Sequence, residues 1–69
     1  MSTIAPPSEV FILPDLGWSC LLGPIAHDAR PGAVLVTYSA AMRDLCEQTL
    51  AALGRTDVTV ELRPELRRN

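Results

Sequence analysis

The chain has 69 residues, of which 48% are hydrophobic and 20% are charged, and its formal net charge is −2. A chain of this length forms one domain at most, and its hydrophobic content is that of a folded protein rather than a disordered one. Because a nucleic-acid surface needs a basic face, the acidic balance predicts no nucleic-acid partner. No stretch approaches the roughly 20 apolar residues of a membrane helix, so we expect a cytoplasmic protein without a membrane partner.

Composition divides the chain into three parts. Residues 1–8 contain the pair Pro6-Pro7 among small polar residues, which predicts a flexible N-terminal lead-in. Residues 9–63 hold the periodic segments and are predicted to form a single α/β domain. Residues 64–69 form a basic C-terminal tail, which we interpret as a solvated terminus or, alternatively, as a contact for an acidic partner.

The first element is predicted to be a strand over "EVFIL", because the run is rich in β-branched and aromatic residues. The following "PDLG" predicts a tight turn, in which Pro14 restricts φ and Gly17 adopts a positive φ. The segment Trp18–Leu22 is compatible with the second arm of a hairpin or with a helical turn, and the strand is favoured. Residues 23–32, "GPIAHDARPG", lie between Gly-Pro and Pro-Gly and predict a loop.

The second half carries the strongest patterns. "AVLVTY" is an unbroken apolar run, which is typical of a strand covered on both faces, and "DVTVELRP" alternates as a strand with one wet face does. Between them Ser39 is placed to cap a helix, Gly54 to end it in the left-handed region, and Arg55 to interact with its negative end. One face of this helix is apolar, with Met42, Leu45, Cys46, Thr49, Leu50 and Leu53.

These elements predict an α/β (α+β) fold. We expect a small three- to four-stranded mixed sheet containing one right-handed βαβ unit, with a single amphipathic helix packed on one face. One helix covers one face only, so Phe11 or Ile12, together with Val34 or Leu35, must face something else. A second copy of the chain is the simplest cover, and the sequence therefore predicts a homodimer or obligate docking on another protein. Phe11, Trp18 and Leu35 are the predicted interface residues.

Candidate catalytic residues are few. Ser39 follows a strand and precedes a helix, but the glycines of the G-x-S-x-G nucleophile elbow are replaced by Thr37 and Ala41, so an N-cap is the favoured interpretation. His27 and Asp28 are the only group suited to proton transfer near neutral pH. A capping or exposed loop histidine is the favoured interpretation, and a general base or a single metal ligand is the alternative.

The sequence predicts no cofactor and no metal site. It lacks a Gly-rich phosphate loop and any C-x-x-C spacing. Cys46 lies on the apolar helical face and is predicted to be buried, whereas Cys20 is the better candidate for a reactive thiol.

Two functions from different classes follow. The first is a small non-enzymatic homodimeric accessory or regulatory protein that acts through a protein-protein interface. The second is a small enzyme or ligand-binding protein with a pocket at the dimer seam, lined by His27, Tyr38 and Ser39. Binding of an anionic polymer by the arginine tail ranks behind both.

Overall fold

A computed structural model describes residues 7–64 of the chain. Apart from Pro64, the predicted basic tail lies outside this range, and so do all but the last two residues of the predicted lead-in. The elements in chain order are strand β1 (Val10–Ile12), a short 3₁₀ helix (Leu16–Trp18), helix α1 (Ser19–Asp28), strand β2 (Val34–Thr37), helix α2 (Ala40–Ala52) and strand β3 (Thr59–Leu62).

The three strands form one parallel sheet in the order β1-β2-β3. The register aligns Phe11 with Leu35 and Leu35 with Val60. Each β-α-β crossover is expected to be right-handed, and because both crossovers step in the same direction across the sheet, both helices lie on the same face. Contacts between α1 and α2 agree with this single helix layer.

The hydrophobic core lies between this helix layer and the sheet. From the sheet, Leu13 and Leu35 are 1% and 0% exposed, and from α2, Met42 and Cys46 are both 0% exposed. Phe11 and Val60 pack partly buried against the same cluster. We call this side of the sheet the covered face; it carries Phe11, Leu13, Leu35, Thr37 and Val60.

The expected single helix and the favoured strand at Trp18–Leu22 are corrected. Asp15 accepts a hydrogen bond from the Gly17 amide and starts the 3₁₀ helix, from which α1 continues through Gly23 and Pro24. Among the described residues, only Gly32 and Gly54 have a positive φ. The positive φ expected at Gly17 is therefore wrong. The 23–32 segment is therefore helical up to Asp28, and the fold has two βαβ units on a parallel, not mixed, sheet.

Tertiary packing explains why α1 forms across two residues that usually interrupt helices. Leu22, Ile25, Ala26 and Ala29 follow the i, i+3, i+4, i+7 spacing, and this face packs on the core. Pro24 removes one backbone donor from the helix. Burial of the apolar face offsets that loss, since packing rather than propensity supplies most helical stability in proteins.

The strand, helix and strand predicted in the second half of the chain are present. Ser39 is the N-cap of α2, and its Oγ accepts a hydrogen bond from the Met42 amide at 3.4 Å. Gly54 follows the last turn with φ of 71°. Val58, just before β3, is buried and Thr59 is exposed, but Val60, Glu61 and Leu62 are all partly buried, so the predicted alternation is seen only in part.

Candidate functional site

The carboxyl edge of the sheet, where the strands end, holds the predicted serine. Thr37 is fully buried; its Oγ1 donates to the Pro14 carbonyl oxygen at 3.3 Å and accepts from the Ser39 amide at 3.3 Å. The Tyr38 amide also donates to the Pro14 carbonyl oxygen. These polar groups bond to one another and to α2, so their arrangement serves to join β1, β2 and the start of α2.

His27 lies at the opposite edge of the sheet. Helix α1 begins at the carboxyl edge of β1 and returns toward the start of β2, and its ten residues are about 15 Å long. His27 is in its last turn, 75% exposed, with Nδ1 2.9 Å from Asp28 Oδ1. Within one copy the fold therefore keeps His27 away from Tyr38 and Ser39, and a Ser-His-Asp arrangement is not assembled.

The two cysteines differ in environment as predicted. Both are free thiols; Cys20 is exposed and Cys46 is buried. Burial raises the pKa of the Cys46 thiol, and the nearby Glu47 carboxylate adds to that rise. Since the thiolate is the reactive form, Cys46 is a core residue with low reactivity.

Arg55 has a role that the sequence did not indicate. It was expected to interact with the end of α2, but its Nη1 donates to the carbonyl oxygens of Ala26 and His27, which belong to the last turn of α1. Its Nη2 also donates to Asp57 Oδ2 at 2.9 Å, and this hydrogen bond holds the pKa of Asp57 below its usual range. Arg55 thus joins the end of α1 to the segment that leads into β3.

The three predicted interface residues lie in different surroundings. Leu35 is fully buried on the covered face and Phe11 is partly buried against the core, so both face the helix layer. Trp18 ends the 3₁₀ helix and is 45% exposed. The neighbours Ile12 and Val34 point the other way, because successive residues of a strand alternate between faces. The structure thus selects Ile12 and Val34 from the alternatives left by the sequence.

The side of the sheet away from the helices forms the candidate site. We call it the open face; by alternation it carries Val10, Ile12, Val34, Val36, Thr59 and Glu61. Val10 and Ile12 are each 53% exposed, and Val36 lies at the floor of a shallow groove of about 450 Å³. Glu61 and Arg63 line the groove on the β3 side and form an ion pair of 2.7 Å.

Among residues 7–64, no group of three or more His, Cys, Asp or Glu side chains is placed to hold a metal ion. Within that range neither α1 nor α2 is long and apolar enough to cross a membrane.

Comparison with known proteins adds no family. No protein-family model matches the chain, and no curated protein and no solved structure is significantly similar to it. The candidate site is therefore identified only by the geometry and chemistry of the open face.

Proposed function

We propose that this protein is a small non-enzymatic module that acts through a protein-protein interface, and that a second copy of the chain covers its open face. One observation carries the proposal: in the part of the chain that the structure describes, a wholly parallel sheet has helices on one face only. Parallel sheets occur almost only with both faces covered, because their strands are apolar on both sides. Val10, Ile12, Val34 and Val36 fit that pattern.

The charges of the open face suit a second copy as the partner. Its polar part carries one carboxylate, Glu61, and one guanidinium, Arg63, 2.7 Å apart. Over the described residues 7–64 the face therefore has no net charge of its own, and two copies meet without like-charge repulsion. A strongly acidic or basic partner would gain no net electrostatic attraction from this surface.

The size of the open face sets the strength of the association. With a strand spacing of about 4.8 Å and a rise of about 3.3 Å per residue, three strands of about four residues cover about 190 Å². Even twice that area lies below the roughly 800 Å² per partner of a standard stable interface. We therefore expect a weak, reversible dimer with a Kd between about 10 µM and 1 mM.

The ligand-binding alternative is not proposed, because His27 lies on α1 in the helix layer, away from the open face at which two copies would meet, and at the opposite edge of the sheet from Tyr38 and Ser39. Binding of an anionic polymer through Arg67 and Arg68 concerns residues outside the described range.

Sedimentation velocity over a concentration series tests the proposal. The weight-average sedimentation coefficient of the native chain is expected to rise between about 10 µM and 1 mM. Ile12→Asp places a carboxylate on the open face and is expected to keep the monomer value throughout. Leu21→Asp is the matched control, since Leu21 is 44% exposed on α1, and it is expected to behave like the native chain. Circular dichroism checks that both variants fold.

Two results would overturn the proposal. The first is a native chain that stays monomeric at the highest concentration. The second is a dimer that Leu21→Asp abolishes and Ile12→Asp leaves intact, because the contact would then lie on the helix layer.

A further inference from the structure

The open face is not uniform across its three strands. Each strand contributes one column of side chains to this face. The β1 and β2 columns are apolar, with Val10 and Ile12 beside Val34 and Val36. The β3 column is polar, with Thr59 and Glu61, and Arg63 follows where its amide still donates to the Thr37 carbonyl oxygen. The face thus has an apolar side and a polar side, and a partner in one orientation matches it better than in the other.

Two arrangements place the open faces of two copies in full, aligned contact. If the two-fold axis runs parallel to the strands, the strands of the two copies point the same way and β1 lies over the β3 of the partner. If the axis runs across the strands, they point in opposite directions, and β1 lies over β1 and β3 over β3. Both are isologous contacts, in which each copy offers the same surface.

The polarity of the columns decides between them. The parallel arrangement puts Val10 and Ile12 against Thr59 and Glu61 of the partner, which buries a carboxylate against apolar side chains at considerable cost. The axis that runs across the strands puts apolar columns on apolar columns and leaves the two β3 columns together at one margin of the interface. There each carboxylate keeps an arginine beside it.

We infer that the second copy packs with its strands antiparallel to those of the first, about a two-fold axis that runs across the strands. This inference rests on the proposed function, since it specifies how the open face is used. It has a definite consequence: the carboxyl edge of each copy lies beside the amino edge of its partner.

Intermolecular paramagnetic relaxation enhancement tests this consequence, because it detects weak complexes. A nitroxide is attached at Ala40→Cys, an exposed position at the start of α2, in a chain that also carries Cys20→Ser. Cys46 is buried and stays unlabelled. This chain, at natural isotope abundance, is mixed at about 0.5 mM with ¹⁵N-labelled native chain, within the expected range of Kd.

The antiparallel arrangement predicts broadening at the amino edge of the ¹⁵N chain. Amides of Gly32 and Ala33 are expected to lose more than half their intensity, whereas Tyr38, which lies about 17 Å further along the strand, is expected to keep most of its own. A diamagnetic analogue of the label is the reference. A labelled chain that also carries Ile12→Asp is expected to cause no broadening.

The possible failures can be told apart. Broadening centred on Tyr38 and Arg63 would overturn the antiparallel arrangement and leave the proposed dimer in place. Broadening confined to the helix layer, or none at a concentration at which sedimentation also shows only monomer, would overturn both.

Discussion

The two faces of the sheet differ in burial, although the same three strands supply both. In β2, Leu35 is completely buried under α1 and α2, while its neighbours Val34 and Val36 belong to the open face. The covered face gains its apolar contacts within the chain, and the open face keeps Val10 and Ile12 half exposed. The difference shows that one apolar strand supplies both a buried core and an uncovered apolar surface, and that topology decides which side becomes which.

The largest expected effect is on the free energy of unfolding, and it distinguishes the two faces by substitutions at two adjacent positions of β2. Leu35→Ala removes a buried side chain and leaves a cavity, which is expected to lower the free energy of unfolding by about 2–5 kcal/mol. Val34→Ala, on the open face of the same strand, is expected to cost no more than about 1 kcal/mol, because Val34 is only partly buried. Urea denaturation at micromolar concentration measures both. Equal losses would contradict the distinction between the faces.

The next effect concerns how the helix layer is held on the covered face. Arg55→Ala removes the hydrogen bonds to the carbonyl oxygens of Ala26 and His27 and is expected to destabilise the fold by about 1–2 kcal/mol. Arg43→Ala is the matched control, because Arg43 pairs only with the exposed Asp44, and a change within about 0.5 kcal/mol is expected. Hydrogen exchange provides the specific readout. Faster exchange in the last turn of α1, including the Ala29 amide, is expected for Arg55→Ala, and unchanged exchange there would contradict its role.

A smaller effect is expected at the start of α2. Ser39→Ala removes the acceptor for the Met42 amide and is expected to cost about 0.5–1 kcal/mol, the low end for N-caps because the hydrogen bond is 3.4 Å long. Ser39→Asp restores an acceptor and is expected to recover most of the loss in thermal denaturation. A loss above about 3 kcal/mol would show that Ser39 does more than cap the helix.

The smallest effect on the fold compares the two thiols. Cys20 is exposed on α1 and Cys46 is buried on the covered side, with its pKa raised by burial and by Glu47. A disulfide reagent at pH 8 is therefore expected to modify one thiol per native chain quickly and the second only on unfolding. Cys20→Ser is expected to abolish the fast reaction with little change in stability. Two fast thiols in the native chain would show that the core around Cys46 opens readily.

The sequence predicted the half of the fold in which local patterns agree with the final packing. The run "AVLVTY", the Ser39 cap, the apolar face that includes Met42 and Cys46, and Gly54 all indicate the same βαβ unit. It did not predict α1, because Gly23 and Pro24 lie within that helix and are the usual signals of a break. The spacing of Leu22, Ile25, Ala26 and Ala29 is the pattern in the sequence that indicates this helix.

The sequence predicted that one face of the sheet lacks a cover, but not which residues form that face. Counting apolar strand positions against helices indicated that one face of the sheet lacks a cover. It did not tell Ile12 from Phe11 or Val34 from Leu35, because the direction of a side chain depends on which face receives the helices. That choice follows from the order of the strands and the hand of the crossovers, which a strand pattern alone does not contain.

A dilution series followed by methyl NMR tests the central claim most directly. Spectra of a chain labelled at Val, Leu and Ile methyl groups are recorded from about 1 mM down to 10 µM, which spans the expected Kd. The account predicts concentration-dependent shifts for Val10, Ile12, Val34 and Val36, with Leu21 and Leu53 unmoved. Shifts confined to Leu21 and Leu53, or no shifts at all, would contradict the assignment of the open face as the interface.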